Sequence, residues 1–196
     1  MGWLIGFIIW LLIAFFLYRN RIWVFYYIWG AVGFTLLAIL VVRSSPVEYA
    51  IEAANGWILH YLLAVINIPT YLFDNAPGTV LVMMKLENAW TCINIDIECS
   101  GILEGCVLLG LVLFYPLLSV KEKVAYTVGG LSGLMVINLI RLLVIVVCIN
   151  TFGRDAMYIA HTLLGRLVFF LLVIVLYWYL FTRVTLSRLR KRYDDE

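Results

Sequence analysis

The chain has 196 residues, of which 65% are hydrophobic and only 13% charged, with a net charge of +2. A water-soluble domain carries about 45–50% apolar and about 25% charged residues, so the composition excludes an ordinary soluble fold. Runs of roughly 18 or more apolar residues recur, each about long enough to cross a hydrocarbon core of ~30 Å. The chain therefore reads as an all-α, polytopic membrane protein, one compact bundle without a soluble domain.

The first apolar stretch covers residues 2–18 and is closed by Arg19, Asn20 and Arg21. No Lys or Arg precedes it, whereas a secretory signal carries its charge ahead of the apolar run. It is expected to be a retained span with its N-terminus outside. A second span, residues 22–42, stops at Arg43-Ser44-Ser45-Pro46. Together these make an N-terminal two-helix segment, residues 1–46.

Residues 47–67 differ. Glu48, Glu52 and Asn55 recur at i, i+4, i+7, one face of a helix, with Val47, Ile51, Ala54, Ile58 and Leu62 on the other. An amphipathic helix lying in the membrane interface is expected, with a tilted span as the alternative. Turn signals follow at Pro69 and Asp74-Asn75-Ala76-Pro77-Gly78. Residues 79–86 and 90–97 then read as the strands of a small β-hairpin, the second alternating polar and apolar at Asn94 and Asp96. Unpaired backbone cannot face lipid, so the hairpin belongs outside the bilayer or against protein.

Three further spans are predicted, at about 98–119, 124–149 and 156–182. Arg183, Arg188, Arg190, Lys191 and Arg192 form a basic tail over residues 183–196. Positive residues flanking spans prefer the cytoplasm. The tail is therefore inside, the 150–155 loop outside, Lys121 and Lys123 inside, and the hairpin outside. Arg19 and Arg21 fall inside only if residues 47–67 do not cross. The expected topology is five to six transmembrane helices with one outer interfacial helix, in a cell membrane. Gly101/Gly105 and Gly129/Gly133 have small-xxx-small spacing, which predicts close approach of the 98–119 and 124–149 spans.

Within these spans three residues carry the chemistry: Cys99, Arg141 and His161. In Glu98-Cys99-Ser100-Gly101 the thiol is expected in the first turn of a helix, where free N–H groups and the dipole favour thiolate. Cys106 and Cys148, mid-span, read as apolar filler. No C-x-x-C pair exists, although a Cys92–Cys99 disulfide would make Cys99 structural. Arg141 is costly inside a bilayer. It shares a face with Asn138 at i, i+3, and Glu104 is its obvious ion-pair partner, with Arg166 as a competing partner for Glu104. His161 sits where a general acid/base is needed and shares a face with Gly165. His60 reads as an ordinary hydrogen-bonding group.

Cys-Ser-Gly at 99–101, Asn-x-x-Arg at 138–141 and His161, in that order on successive membrane helices, resemble the exosortase/archaeosortase family. The resemblance extends from about Glu48 to Tyr179, a catalytic membrane core within residues 47–182. It implies a membrane cysteine transpeptidase or protease: Cys99 the nucleophile, Arg141 the transition-state stabiliser, His161 the acid/base. Ser100, Gly101, Asn138, Glu104 and Arg166 support them. The implied substrates are exported proteins whose C-terminal tail has a short motif, one transmembrane helix and a basic cluster, cleaved on the extracytoplasmic side. Fewer helices precede the core here than in most relatives.

The expected chemistry is acyl transfer through a Cys99 thioester to an amine or water, in a groove open to lipid. No cofactor, metal or nucleic-acid partner is expected, since no nucleotide or metal motif is visible. The competing functions are a non-enzymatic scaffold or small transporter, whose polar residues would line a conduit, and a thiol oxidoreductase built on Cys92 and Cys99.

Overall fold

The computed structural model describes residues 2–73, 80–86, 89–182 and 186. The expected 74–78 turn, Glu87 and Asn88, and nearly all of the basic tail lie outside the described residues. The fold is mainly helical, with one small sheet.

Helices α1 (Gly2–Arg19) and α2 (Trp23–Arg43) form an antiparallel hairpin. The indole of Trp10 donates to Trp29 O and that of Trp29 to Trp10 O, each at 3.2 Å. A reciprocal pair of this kind satisfies both buried-type donors in apolar surroundings. Helix α2 in turn packs on α4 (Ile102–Phe114), where Gly110 lies so close to Ala31 that a Cβ would sit 2.7 Å from its carbonyl oxygen.

Helix α3 (Val47–Val65) begins immediately after Pro46, whose fixed φ suits a helix start. Its amphipathic pattern is realised with an inversion. Glu52 and Asn55 are buried, with Leu59 and Leu63, while Val47, Ile51 and Leu62 are exposed. The polar face thus points into the protein, and the apolar face points outward.

The expected hairpin is a three-stranded antiparallel sheet in the order β1-β2-β3: Thr70–Phe73, Val80–Leu86 and Ala89–Ile95. Val80 pairs with Ile95 and Met83 with Cys92. One face of the sheet (Val80, Val82, Met84, Ile93, Ile95) packs with Leu59 and Leu63 of α3.

The spine is α5, Val120–Phe152, 33 residues long and therefore about 50 Å by helical rise, well beyond a ~30 Å core. Ser119 and Glu122 cap its start reciprocally. Its last turns contribute Leu142, Ile145, Val146 and Ile149 to the sheet core. Its first half builds a second core from Leu134 with Leu108, Val112, Leu118 and Leu180. The final helical segment, α6, runs Arg154–Thr182 and widens into π turns at Ala160–Leu164 and Trp178–Thr182. Gly165 lets it press on α5, since a Cβ there would meet Ile145 at 2.7 Å.

By length and apolarity, α2, α5 and α6 are each able to cross a membrane, while residues 6–19 and α4 form shorter apolar helices. The protein is membrane-associated. The predicted glycine seam forms on one side only: Gly101 and Gly105 face α5, where a Cβ would meet Asn138 at 3.5 Å and Leu131 at 3.4 Å, whereas Gly129 and Gly133 do not face α4. A Cβ on Gly129 would meet nothing within 4 Å, and one on Gly133 would meet Leu176 of α6. Helix α4 approaches α5 through Gly130 instead, whose open face receives Leu108.

Candidate active site

The turn before α4 holds the thiol. Asp96 Oδ1 accepts from the backbone N–H of Glu98 (3.1 Å) and of Cys99 (3.2 Å), and Cys99 N–H also reaches Asp96 O at 2.9 Å. A short acceptor capping the two residues that follow is what Asp does well at a turn. Ser100 Oγ donates to Ile97 O at 3.0 Å. Gly101 then adopts φ +77°, a left-handed conformation that favours glycine, and the helix proper starts at Ile102. Cys99 therefore precedes the helix rather than lying in its first turn, as the sequence suggested. Gly101 is what turns the chain between them.

Two buried amides fix the far side of this turn. Asn138 Nδ2 donates to Cys99 O at 2.9 Å and to Asn55 Oδ1 at 3.1 Å. Asn55 Nδ2 donates to Ser100 O at 3.2 Å and to Ile51 O at 2.9 Å. Consecutive carbonyls of the Cys99 turn are thus held by α3 and α5 at once.

On the other side stand the two groups expected from the sequence. His161 Nε2 lies 3.3 Å from Cys99 Sγ. It sits on the Ala160–Leu164 π turn; such turns re-aim side chains and recur at functional sites. Arg141 Nη2 donates to Cys99 Sγ at 3.9 Å and Nη1 to Glu98 O at 3.1 Å, with the guanidinium carbon 5.3 Å from the centre of the Phe169 ring. Cys99 is 3% exposed and Arg141 5%.

Burial pushes the Cys99 thiol up to about 11. Arg141 opposes this, while Asp96, through its charge and a hydrogen bond with the thiol, and Glu98 add to the rise. Burial and the neighbouring carboxylates thus favour the thiol over the thiolate expected from a helix start. The missing dipole effect follows from the chain geometry, because α4 begins beyond Gly101 and the Cys99 N–H is spent on Asp96. Ionisation requires a proton acceptor, and His161 is at hydrogen-bonding range.

Glu104 does not pair as expected. Its Oε2 is buried without a hydrogen-bond partner, as are Arg141 Nε and Asn138 Oδ1. Arg141 spends its fork on Glu98 O and Cys99 instead. Glu104 and Arg166 both line a cleft of about 470 Å³ between α4 and α6, with Leu103, Phe169 and Val173, and Arg141 at its back. All four cysteines are free, so no Cys92–Cys99 disulfide is present in this structure. His60 Nδ1 lies 2.7 Å from Thr70 Oγ1, an ordinary pairing.

Three contributors were not singled out from the sequence. Asn55 carried a signal, its place on the polar face of α3. Asp96 carried a weaker one, three residues before the thiol. Phe169 carried none, being one apolar residue among many. No protein-family profile, curated protein or solved structure matches this chain.

Proposed function

We propose that the protein is a membrane-embedded cysteine transpeptidase or protease of the exosortase/archaeosortase type, which cleaves C-terminal sorting tails of exported proteins. One observation carries this reading. A thiol, an imidazole and a guanidinium from three separate elements meet within 3.3 and 3.9 Å, in a protein whose apolar surroundings make each of them expensive.

The chemistry follows from the contacts. His161 takes the Cys99 proton as the sulfur bonds to a peptide carbonyl carbon. The carbonyl electron pair becomes an oxyanion beside the Arg141 guanidinium; a donor aimed at such a charge is typically worth ~10²–10³ in rate. Collapse breaks the C–N bond, the leaving amine takes the proton from His161, and a Cys99 thioester remains. An amine or water then attacks the thioester and releases the thiol. Asp96, Asn55 and Asn138 hold the turn and do not touch the reacting atoms.

Helix length supports a site at the membrane boundary. Arg141 lies 17 residues, about 26 Å, beyond Val124, where the uncharged part of α5 begins. If Val124 marks the inner edge, the guanidinium comes near the outer edge of a ~30 Å core. The remaining turns of α5 and the sheet then stand outside, α3 lies in the interface, and the basic tail is cytoplasmic. In this arrangement, at a plasma membrane, the substrate's own membrane helix reaches the thiol from the lipid through the α4–α6 cleft.

The test is co-expression with a reporter bearing a C-terminal motif, a transmembrane helix and a basic cluster, following both cleavage and enzyme abundance. Cys99→Ala is expected to abolish cleavage at unchanged abundance. Full processing by that variant ends the proposal.

A further inference from the structure

The two edges of the sheet are unlike. Strand β1, at one edge, is four residues long and is preceded by Pro69. Strand β3, at the other, is seven residues long and contains neither a charge nor a proline. A free edge is a template for another chain, and proteins blunt such edges with short strands, charges or proline. Strand β1 is blunted in this way and β3 is not. Leu86 pairs with Ala89, so two residues join β2 to β3. The closing pair of a two-residue hairpin exchanges its hydrogen bonds inward, and every second pair beyond it does the same. By that alternation Cys92 and Asn94 turn their backbone N–H and C=O groups away from β2. Among the described residues, no backbone–backbone hydrogen bond joins Ala89–Ile95 to any element but β2.

This unguarded edge leads straight into the Cys99 turn. Three residues separate Ile95 from Cys99, and Asp96 pins their path by accepting from the N–H groups of Glu98 and Cys99. Ile95 is itself anchored on α3, where a Cβ on Gly56 would meet it at 3.7 Å. The edge is therefore fixed relative to the thiol. Its occupant has to offer backbone N–H and C=O groups in alternation, which an extended peptide does and a lipid or a helix does not. An open sheet edge does not stand in hydrocarbon, so the occupant comes from the exported side. The chain attacked at Cys99 has such a segment, because its exported part precedes the scissile bond and its membrane helix follows it.

We infer that β3 is a docking strand for the substrate: the residues just before the scissile bond add to its free edge as a fourth strand, hydrogen-bonded to the backbone at Cys92 and Asn94. The inference rests on the acyl-transfer reading of Cys99. It also fixes a direction. Strand β3 runs towards Cys99, and the acyl side of the substrate ends there, so the added strand is parallel to β3. Main-chain bonds supply the affinity in such an arrangement. Alternate substrate side chains then lie next to the uncharged side chains of Cys92 and Asn94.

The experiment uses the full chain in detergent and follows alkylation of Cys99 by mass spectrometry. The probes are iodoacetamide, an acetylated Val-Thr-Val-Thr-Leu peptide ending in a vinyl sulfone, and the same peptide N-methylated at each amide in turn. A strand pairs with its neighbour through every second residue. Methylation at alternate amides is therefore expected to slow alkylation about tenfold, the loss of about one hydrogen bond. Methylation at the amides between them should leave the rate nearly unchanged. Asn94→Pro removes an outward N–H at an edge position, where proline is tolerated. It should slow the parent peptide to a similar degree. Iodoacetamide rates stay the same in both proteins.

Equal rates across the N-methyl series, or a slowing without the alternation, overturn the inference and leave the nucleophile intact. So does an alternation confined to a reversed probe, in which the vinyl sulfone precedes the peptide. That result would put the leaving-group side on the edge. Cys92–Cys92 coupling of two chains under mild oxidation, undiminished by the peptide, would assign the edge to a second copy and overturn the inference as well. Should Asn94→Pro fail to fold, the N-methyl series on the unaltered protein decides by itself. A Cys99 inert to iodoacetamide even at pH 11 defeats the acyl-transfer reading itself, a different failure.

Discussion

The two sides of the Cys99 turn are built on opposite principles. Towards α3 and α5, the carbonyls of Cys99 and Ser100 are each held by a buried amide, and Asn55 and Asn138 also bond each other. These side chains are 1% and 0% exposed. Towards α6, the thiol meets His161 and Arg141 beside an open cleft that Arg141 and Glu104 line. Each side keeps an unpartnered atom, Asn138 Oδ1 on the one and Arg141 Nε and Glu104 Oε2 on the other. The asparagine side differs in that every amide N–H it offers the turn is spent on a carbonyl or on its neighbour, which fixes the turn's conformation. The contrast assigns shape to the asparagine side and chemistry to the cleft side.

The largest effects belong to the cleft side. Cys99→Ala is expected to leave no cleavage, and His161→Ala to lose at least ~10²–10⁴-fold, the usual contribution of a general acid/base. Arg141→Lys should lose most activity as well. A point ammonium cannot reach Glu98 O and the oxyanion together as a planar fork does. In a co-expression assay all three variants should accumulate like the parent. If cleavage falls only in step with abundance, the residues are structural and the contrast between the two sides disappears.

On the asparagine side the loss should appear as stability. Asn138→Leu leaves Cys99 O and Asn55 Oδ1 without their donor, a cost of about 1–3 kcal/mol. Asn55→Leu removes the donor to Ser100 O at a similar cost. Glu104→Met, which removes a half-buried carboxylate whose Oε2 has no partner, should be neutral or stabilising. Thermal unfolding in one detergent checks all three together. A stable Asn138→Leu beside a fragile Glu104→Met would invert the comparison.

The sequence made the chemical side legible because polar side chains in apolar runs are costly and so conspicuous. Cys99, Arg141 and His161 needed no other signal, and Asn138 followed from its i, i+3 spacing to Arg141. The asparagine side was only half visible, because Asn55 showed its helical face without showing what the face would meet. The glycines were half legible. Gly101 does face α5 at Asn138, but its left-handed backbone, which spacing does not reveal, also ends a turn and puts the helix start after it, while Gly129 faces open space. Strand β1 was missed because four residues, Tyr71 and Phe73 among them exposed, are too few to display a period. The unpaired Glu104 was beyond sequence, since which atoms approach is a matter of distances rather than order.

A smaller effect concerns the proton on sulfur. With the thiol pushed up to about 11, its alkylation by iodoacetamide should keep rising past about pH 10, where the thiolate fraction of an ordinary cysteine levels. Asp96→Asn retains an oxygen to cap the turn but removes a charge that disfavours thiolate. It should shift this profile to lower pH and speed alkylation at pH 8 several-fold, by up to about one pK unit. Arg141→Gln should shift it the other way. Identical profiles in the three proteins would mean that neither charge acts on the thiol.

The smallest effect lies next to the asparagine pair. Glu52 is 3% exposed on α3, and burial, then the charges of Glu48 and Asp96, push its carboxyl from 4.5 up to about 7. A carboxyl raised on folding binds its proton more tightly in the folded state. Its protonated form is therefore compatible with the fold below pH 4.5, and stability is lost as pH rises from there through about 7, then levels. Glu52→Gln cannot ionise and avoids that loss. The variant and the parent should melt alike near pH 4.5, with the variant gaining as pH rises. Above pH 7.5 the gap should reach on the order of 1 kcal/mol, or about 2–4 °C for a chain of this size. A gap that is constant with pH would show that the Glu52 carboxyl titrates alike in the folded and unfolded chain, so that neither burial nor its neighbours shift it. A gap that grows on acidification would reverse the sign and mean that the carboxylate stabilises the asparagine side of the turn.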